Sequence, residues 1–323
     1  MSAPLVDIQD LKVVFDTDDG VVTAVDSVGF SVMENEVLGL VGESGCGKSV
    51  TAMSILSLIP SPPGRLVSGK VIYQGRDLLS LSREKLRQVR GNRISMIFQD
   101  PMTALSPLHR VGAQLAEALL VHGRAGKKEA MAQAEAWLGK MGIPDPKETS
   151  LAYPYELSGG MQQRVMIAMA MMLDPHLIIA DEPTTALDVT TSAQIFELLS
   201  EMRKDKTSIL LITHDLGVIW ETCDRVLVMY AGKIVEQAPV KDLFNTPAHP
   251  YTRELLKSMP TIDGGELYAI SGQVPSALNF PAGCRFNDRC PDAFDRCRRE
   301  QPPLMDLGGG RRSACFLAKE FVP

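Results

Sequence analysis

A glycine-rich segment of eight residues constrains the fold of this chain more than any other part of its sequence. Residues 42–49 read GESGCGKS, directly after a short apolar run at 36–41 and before a predicted helix at 49–58. In a strand–loop–helix setting, glycines let backbone N–H groups curl around phosphate oxygens, and the helix N-terminus adds a positive dipole end. The pattern predicts an α/β fold of the P-loop type with a phosphate-binding loop.

Two residues at the end of this loop carry most of its predicted chemistry. Lys48 can reach the terminal phosphates of a nucleotide, and the Ser49 hydroxyl can ligate Mg²⁺. The other expected nucleotide contacts in this region are Gly42, Ser44, Gly45, Cys46, Gly47 and Thr51. An ordinary glycine-rich turn is the alternative, but such a turn does not require Lys48 and Ser49.

Cys46 lies inside this loop and has two interpretations. The N-terminus of a helix lowers the pKa of a nearby thiol, which predicts a reactive Cys46 that bound ATP would protect. A small, unreactive residue that fills space is the other interpretation.

A pair of acidic residues follows a second apolar run. Residues 177–180 predict a buried strand, and Asp181 and Glu182 come directly at its end. Asp181 would hold Mg²⁺, through a water molecule, and Glu182 would polarise the attacking water as a general base. The alternative is that the two residues are solvated acids at a strand end without a catalytic role. The phosphate-binding loop upstream argues against this alternative.

Composition and charge restrict the class of protein. The 323 residues include 33 basic and 39 acidic ones, a formal net charge of −6, which gives no support for a nucleic-acid partner. The longest apolar run, at 165–173, has nine residues, whereas a membrane-spanning helix needs about 20. With no secretory signal evident, we expect a cytoplasmic protein that acts at a membrane only through a partner.

Hydrophobic patterning divides the chain into two parts. We predict strands at 5–14 (of the edge type), 21–32, 71–73, 93–98 and 209–212, a helical insert at about 100–165, and a hairpin at 226–235. Beyond about residue 240, periodicity weakens and Pro, Gly and Arg become more frequent. We therefore expect one domain at 1–240 and an appended small, irregular extension at 241–323.

A second anion-binding pattern lies between these motifs. Residues 157–164 read LSGGMQQR, in which Ser158, Gly159 and Gly160 begin a helix and could cradle an anion. This stretch resembles the signature motif of the ATP-binding cassette (ABC) ATPases that power transporters, although that family usually has Gln at the position of Met161. The resemblance implies that two ATPase domains pack head to tail, with each ATP held between the loop of one and the signature of the other.

The same resemblance assigns further residues. It implies that Gln99 senses Mg²⁺ and the attacking water, that Asp188 lies in a loop crossing the dimer interface, and that His214 contacts the γ-phosphate. Phe15 is the candidate for stacking on adenine, with Tyr73 a weaker one and a core Phe the alternative. The implied fold is an ABC ATPase domain with a mainly parallel sheet and an antiparallel N-terminal β part.

Four cysteines cluster near the end of the sequence. Their spacing is Cys284-x5-Cys290-x6-Cys297-x17-Cys315, which is looser than zinc knuckles and differs from ferredoxin patterns. The spacing alone leaves an iron–sulfur cluster, zinc or no metal open. His249 precedes Pro250, which predicts the start of a helix and not a fifth ligand.

The sequence around these cysteines adds a second resemblance. Residues 247–252, 283–286, 289–291 and 311–315 are similar to the C-terminal extension of oligopeptide/dipeptide importer ATPases. That resemblance implies a [4Fe–4S] cluster on the four cysteines, with zinc as the alternative.

Together, these resemblances imply an ATPase that drives import of di- or oligopeptides. The expected partners are a related second ATPase, two membrane permease subunits and, indirectly, an exported solute-binding protein. The chain would sit peripherally on the cytoplasmic face of the membrane. An importer of nickel or another small solute is the first alternative, and a soluble cassette ATPase without a permease is the second.

Overall fold

The computed structural model describes residues 3–184, 189–204, 206–259 and 268–321. Its strands are β1 (Val6–Thr17), β2 (Gly20–Val32), β3 (Val37–Val41), β4 (Gly64–Tyr73), β5 (Arg76–Asp77), β6 (Ile94–Ile97), β7 (Leu177–Asp181), β8 (Ser208–Ile212), β9 (Arg225–Tyr230), β10 (Lys233–Pro239), β11 (Met305–Gly308) and β12 (Arg311–Ser313). Its helices are α1 (Lys48–Ile55), α2 (Arg83–Val89), α3 (Pro101–Ala104), α4 (Val111–Val121), α5 (Lys127–Lys140), α6 (Pro146–Leu151), α7 (Gly159–Met171), α8 (Val189–Lys204), α9 (Leu216–Thr222), α10 (Val240–Asn245), α11 (Pro250–Lys257) and α12 (Asp295–Arg299).

The chain forms two compact units. The first combines residues 1–80 with 212–323, and the second consists of residues 81–211. The boundary predicted near residue 240 lies inside the first unit, where β12 pairs with β10.

An antiparallel sheet in the order β2-β1-β4-β5 forms the N-terminal part of the first unit. Strand β1 pairs with β2 on one side and with β4 on the other, so the prediction of an edge strand is wrong. The alternation that suggested an edge corresponds to one face of β1 that is more buried than the other. An antiparallel sheet can expose one face to water even at an interior strand.

The second sheet of this unit has the order β11-β12-β10-β9-β3. Strand β3 is buried along its whole length and pairs in parallel with β9, whereas β10 and β12 pair antiparallel with their neighbours. The sheet of this unit is therefore mixed, and the expectation of a mainly parallel sheet is met only in part. The reason is the tight turn at Ala231 and Gly232, both with positive φ, which returns β10 antiparallel to β9.

In the second unit, the sheet order is β8-β7-β6, and β6 and β7 pair in parallel. Both of these strands are fully buried, as their continuous apolar sequences predict. Helices α3 to α7 lie between β6 and β7 in the chain, where the helical insert is expected. No helix within the described ranges is long and apolar enough to cross a membrane.

A buried carboxylate organises the entry to α11 in the first unit. His249 is the N-cap of α11, and its Nδ1 atom accepts a hydrogen bond from the Tyr251 N–H at 3.0 Å. The predicted helix start at Pro250 is thereby confirmed. Glu236, on β10, accepts hydrogen bonds from the N–H groups of Ala248 at 2.6 Å and His249 at 2.9 Å. Burial raises the pKa of Glu236 and lowers that of His249 to about 3.

We expect Glu236→Ala to destabilise the protein by about 2–4 kcal/mol, because it leaves two buried N–H groups without acceptors. Urea unfolding followed by circular dichroism would measure the loss. Glu221→Ala, at an exposed position on α9, is the matched control and should change the free energy of unfolding by less than about 0.5 kcal/mol. Equal unfolding midpoints for the two variants would contradict this role of Glu236.

Candidate functional site

The glycine-rich loop joins β3 to α1 and packs against backbone on two sides. A Cβ atom at Gly42 would lie 2.1 Å from the carbonyl oxygen of Met229, and one at Gly47 would lie 2.3 Å from that of Ala24. Both glycines have positive φ, so only glycine fits at either position. Around Gly45, in contrast, an added Cβ meets nothing within 4 Å, which leaves open space beside the loop.

The N-terminus of α1 has the features of an anion site. Helix α1 begins at Lys48, with Gly47 as an N-cap that supplies no side-chain hydrogen bond. The Lys48 Nζ atom donates to the carbonyl oxygens of Gly42 at 2.9 Å and Glu43 at 3.0 Å. Ser49 is partly exposed in the first turn, whereas the buried Thr51 hydroxyl donates to the Gly47 carbonyl. The ammonium group is thus held over the loop by backbone carbonyls.

Cys46 is not an activated thiol. Its side chain is fully buried, and burial raises the pKa of the thiol despite the Lys48 Nζ atom 3.8 Å from its sulfur. The prediction of a lowered pKa is therefore wrong, because desolvation outweighs the nearby positive charge. Cys46 fills space beneath the loop.

In the second unit, the predicted acidic pair lies at the end of β7. Asp181 is buried, and Glu182 is partly exposed with a φ of 47°. The Gln99 Nε2 atom donates to the Glu182 Oε2 atom at 3.0 Å. A non-glycine residue in this left-handed conformation is strained, and such strain clusters at functional sites. The structure thus brings Gln99 and Glu182 together through a direct hydrogen bond.

Gln163 is a residue of this site that sequence reasoning missed. It lies on α7 with 1% of its surface exposed, and its Nε2 atom donates to the carbonyl oxygen of Pro183 at 2.5 Å. This bond ties α7 to the residue that follows Glu182. The available signal was an amide side chain two residues before the apolar run at 165–173, because a buried amide needs a hydrogen-bond partner.

The signature residues lie at the N-terminus of α7. Ser158 is the N-cap, and its hydroxyl oxygen accepts a hydrogen bond from the Met161 N–H at 3.3 Å. Ser158 and Gly159 are exposed, and an added Cβ at Gly159 meets nothing within 4 Å. This end of α7 is therefore an open surface at which N–H groups could meet an anion.

The remaining predicted residues occupy separate positions. His214 is exposed and follows β8, next to Asp215, whose carboxylate caps α9. Phe15 is partly exposed on β1, whereas Tyr73 is buried, which favours Phe15 for stacking on a base. Asp188 lies outside the described residues.

The four C-terminal cysteines line one cavity in the first unit. Its other lining residues are His249, Pro250, Phe286, Asn287, Asp292, Pro302, Phe316 and Leu317. All four cysteines are free thiols, and burial raises the pKa of Cys290 to about 11 and that of Cys315 to about 12. Within the described ranges, no group of three or more His, Cys, Asp or Glu residues is arranged to hold a metal ion. The predicted metal centre is therefore not confirmed, although all four cysteines line the same cavity.

Comparisons with known proteins agree with the family resemblance of the sequence. Residues 25–185 match the ABC transporter family, and residues 235–297 match the C-terminal region of oligopeptide/dipeptide transporters. A probable peptide ABC transporter ATP-binding protein of Sinorhizobium fredii is 52% identical, over 98% of this chain and 96% of its own. The oligopeptide transport ATP-binding protein AppD of Bacillus subtilis is 48% identical, over 98% of this chain and 97% of its own.

A solved structure agrees as well. A dimeric ATP-binding cassette in a post-hydrolysis state, bound to ADP and phosphate, is 26% identical with a TM-score of 0.66, over 73% of this chain and 98% of its own. The chain belongs to the ABC transporter ATPases that carry the oligopeptide/dipeptide transporter C-terminal region. ATP hydrolysis coupled to transport is the activity of this class.

We expect Glu182→Gln to lower kcat for ATP hydrolysis by about 100-fold or more while ATP binding persists, because the amide cannot take a proton from water. Phosphate release and nucleotide binding should be measured on the same preparations. Glu197→Gln, exposed on α8, is the matched control. Wild-type turnover of Glu182→Gln would remove this residue from the chemistry.

Proposed function

We propose that this chain is the ATPase subunit of an importer of di- and oligopeptides. The observation that carries the proposal is the presence, in one chain, of the ABC motifs and of the oligopeptide/dipeptide transporter region at 235–297. Several relatives with 46–49% identity are described as oligopeptide or dipeptide transport ATP-binding proteins. Nickel or another small solute is the alternative, since the solute does not contact this subunit.

In the proposed mechanism, each predicted residue has a separate role toward MgATP. Lys48 binds the terminal phosphates, and Ser49 and Asp181 hold Mg²⁺, with Asp181 acting through water. Glu182 accepts a proton from the attacking water, and Gln99 orients that water from its position at 3.0 Å from Glu182. His214 contacts the γ-phosphate. When bound between these residues, Mg²⁺ would supply positive charge that stabilises the transferring phosphoryl group.

The signature motif of this chain serves an ATP that is bound by a second ATPase subunit. The exposed Ser158 and Gly159, at an open helix N-terminus, support this role, because an anion can approach them from solvent. We propose that the partner is a related but different chain, so that this chain alone hydrolyses ATP poorly.

Coupling to transport requires two membrane permease subunits. We propose that their contact surface lies at residues 100–109, which follow Gln99 directly. Leu108 supports this choice, because 81% of its surface is exposed, which is unusual for a large apolar side chain without a partner. The chain would then act at the cytoplasmic face of the membrane, and an exported binding protein would deliver the peptide.

Uptake by cells that lack this gene tests the proposed solute. We expect loss of growth on di- and tripeptides as the source of a required amino acid, and rescue by the wild-type gene but not by Glu182→Gln. Uptake of labelled nickel should be unchanged. Normal peptide uptake together with defective nickel uptake would overturn the assignment of peptides as the solute.

We also propose that Cys284, Cys290, Cys297 and Cys315 hold a [4Fe–4S] cluster. The presence of all four cysteines in the lining of one largely apolar cavity supports it, since four cysteines are the usual donor set of such clusters. When bound, the cluster would cross-link the C-terminal segment. Zinc is the alternative.

Anaerobic purification followed by metal analysis distinguishes these alternatives. We expect iron at about four atoms per chain and absorption near ~400 nm. Cys290→Ser should lose most of the iron, whereas Cys223→Ser, a buried cysteine outside the cavity, should retain it. Zinc without iron, or no metal at all, would contradict the proposed cluster.

A further inference from the structure

Glu43, the second residue of the phosphate-binding loop, is held at its backbone and at its side chain. Its N–H donates to the Tyr251 hydroxyl at 2.9 Å, and its carbonyl oxygen accepts from the Lys48 Nζ atom at 3.0 Å. Its carboxylate pairs with Arg289, a residue 246 positions later in the chain. The conformation of Glu43 therefore depends on Tyr251 and Arg289, which belong to residues 241–323, called here the C-terminal segment.

The pairing between Arg289 and Glu43 is bidentate. The Nη1 atom lies 2.8 Å from Glu43 Oε2, and the Nη2 atom lies 2.9 Å from Glu43 Oε1. Arg289 also donates to the Tyr230 hydroxyl and to the carbonyl oxygens of Ile270 and Ser271. These contacts use all five N–H donors of a guanidinium group whose side chain is only 3% exposed. A fork that is fully hydrogen-bonded in this way fixes its partner more firmly than a surface ion pair does.

Arg289 lies within residues 284–315, which carry the four cysteines and are called here the cysteine segment. It lies next to Cys290, and its N–H donates to the carbonyl oxygen of Phe286 at 3.0 Å. Phe286 lines the cysteine cavity and packs on Tyr230 and Tyr251, with ring centroids 5.3 and 5.4 Å apart. The cysteine segment and the loop are thus joined by an ion pair and an aromatic cluster.

The carbonyl oxygens that hold the Lys48 ammonium belong to Gly42 and Glu43. Any movement of Glu43 therefore changes where the Lys48 charge lies. If the side chain of Glu43 is released, the loop can adopt more conformations, and a phosphate group must order it on binding. If fewer molecules have a loop conformation that can bind ATP, the apparent dissociation constant rises in inverse proportion to that fraction.

We propose that Arg289 is a positioning residue for ATP, which pre-organises the phosphate-binding loop by gripping Glu43. The affinity for ATP is therefore set in part by the C-terminal segment, and not by the ATPase motifs alone. This inference rests on the proposed role of residues 42–49 as the nucleotide site. Arg289 need not touch ATP, so its effect falls on binding and much less on the rate of hydrolysis by the bound enzyme.

The first test is the dissociation constant of MgATP for full-length Arg289→Ala. We expect about five- to twentyfold weaker binding, since a charged hydrogen-bonded pair is lost, and a kcat at saturating ATP within about twofold of wild type. The matched control is Arg296→Ala, in the same segment, whose exposed side chain pairs with Glu300 at 2.8 Å. Its ATP affinity should equal that of the wild type.

A double-mutant cycle separates positioning from a general loss of stability. Glu43 is 26% exposed, so Glu43→Gln should fold, and it should weaken ATP binding to a similar extent. The double variant, Glu43→Gln with Arg289→Ala, should bind ATP no more weakly than the weaker single variant. Arg289→Lys should recover part of the ATP affinity. It replaces Arg289→Ala in these measurements if that variant does not fold.

Two results would overturn the inference. One is ATP affinity within twofold of wild type in folded Arg289→Ala and Glu43→Gln, even if both melt at lower temperature. The other is a double variant whose loss of ATP binding free energy equals the sum of the losses in the two single variants. Lys48→Ala tests the underlying site separately: unchanged ATP binding by that variant would refute the loop as the nucleotide site, whatever the effect of Arg289.

Discussion

The first unit depends on the close approach of the phosphate-binding loop to neighbouring backbone. Gly42 lies against the carbonyl of Met229 and Gly47 against that of Ala24, with no space for a Cβ atom in either place. The Gly232 N–H donates to the Cys46 carbonyl at 2.9 Å and closes the same contact. This packing pushes the Cys46 thiol inward and leaves the opposite side of the loop open. The burial of Cys46 and the exposure of the loop are two results of one steric constraint.

Local patterns predicted much of what the structure contains. The strand–loop–helix order around Lys48, the buried strand that ends at Asp181 and the helix start at Pro250 all depend on neighbouring residues, which the sequence displays. The antiparallel pairing of β10 and β12 and the interior place of β1 were not predictable, because they depend on partners far along the chain. The prediction of a lowered pKa for the Cys46 thiol was wrong for the same reason, because the burial of a side chain depends on tertiary packing. The roles of the site residues remain predictions.

The two candidate anion sites differ in how their helix ends are satisfied. At α1, Gly47 contributes no side chain, so the first N–H groups have no side-chain cap. At α7, the Ser158 hydroxyl caps the Met161 N–H. An anion at α1 meets donors that are free of a local side-chain competitor, whereas an anion at α7 must share them with Ser158. The two helix ends therefore differ in how many N–H donors they leave without a side-chain partner.

The buried amide of Gln163 links two parts of the second unit that have different chemical duties. It lies five residues after Ser158 and bonds to the backbone directly after Glu182. The hydrogen bond of Gln163 therefore connects the first turns of α7 to the carbonyl of Pro183. In a dimer, the start of α7 would report on the nucleotide of the neighbouring subunit. Helix α7 would then make the rate of ATP hydrolysis at one site depend on whether the other site holds a nucleotide.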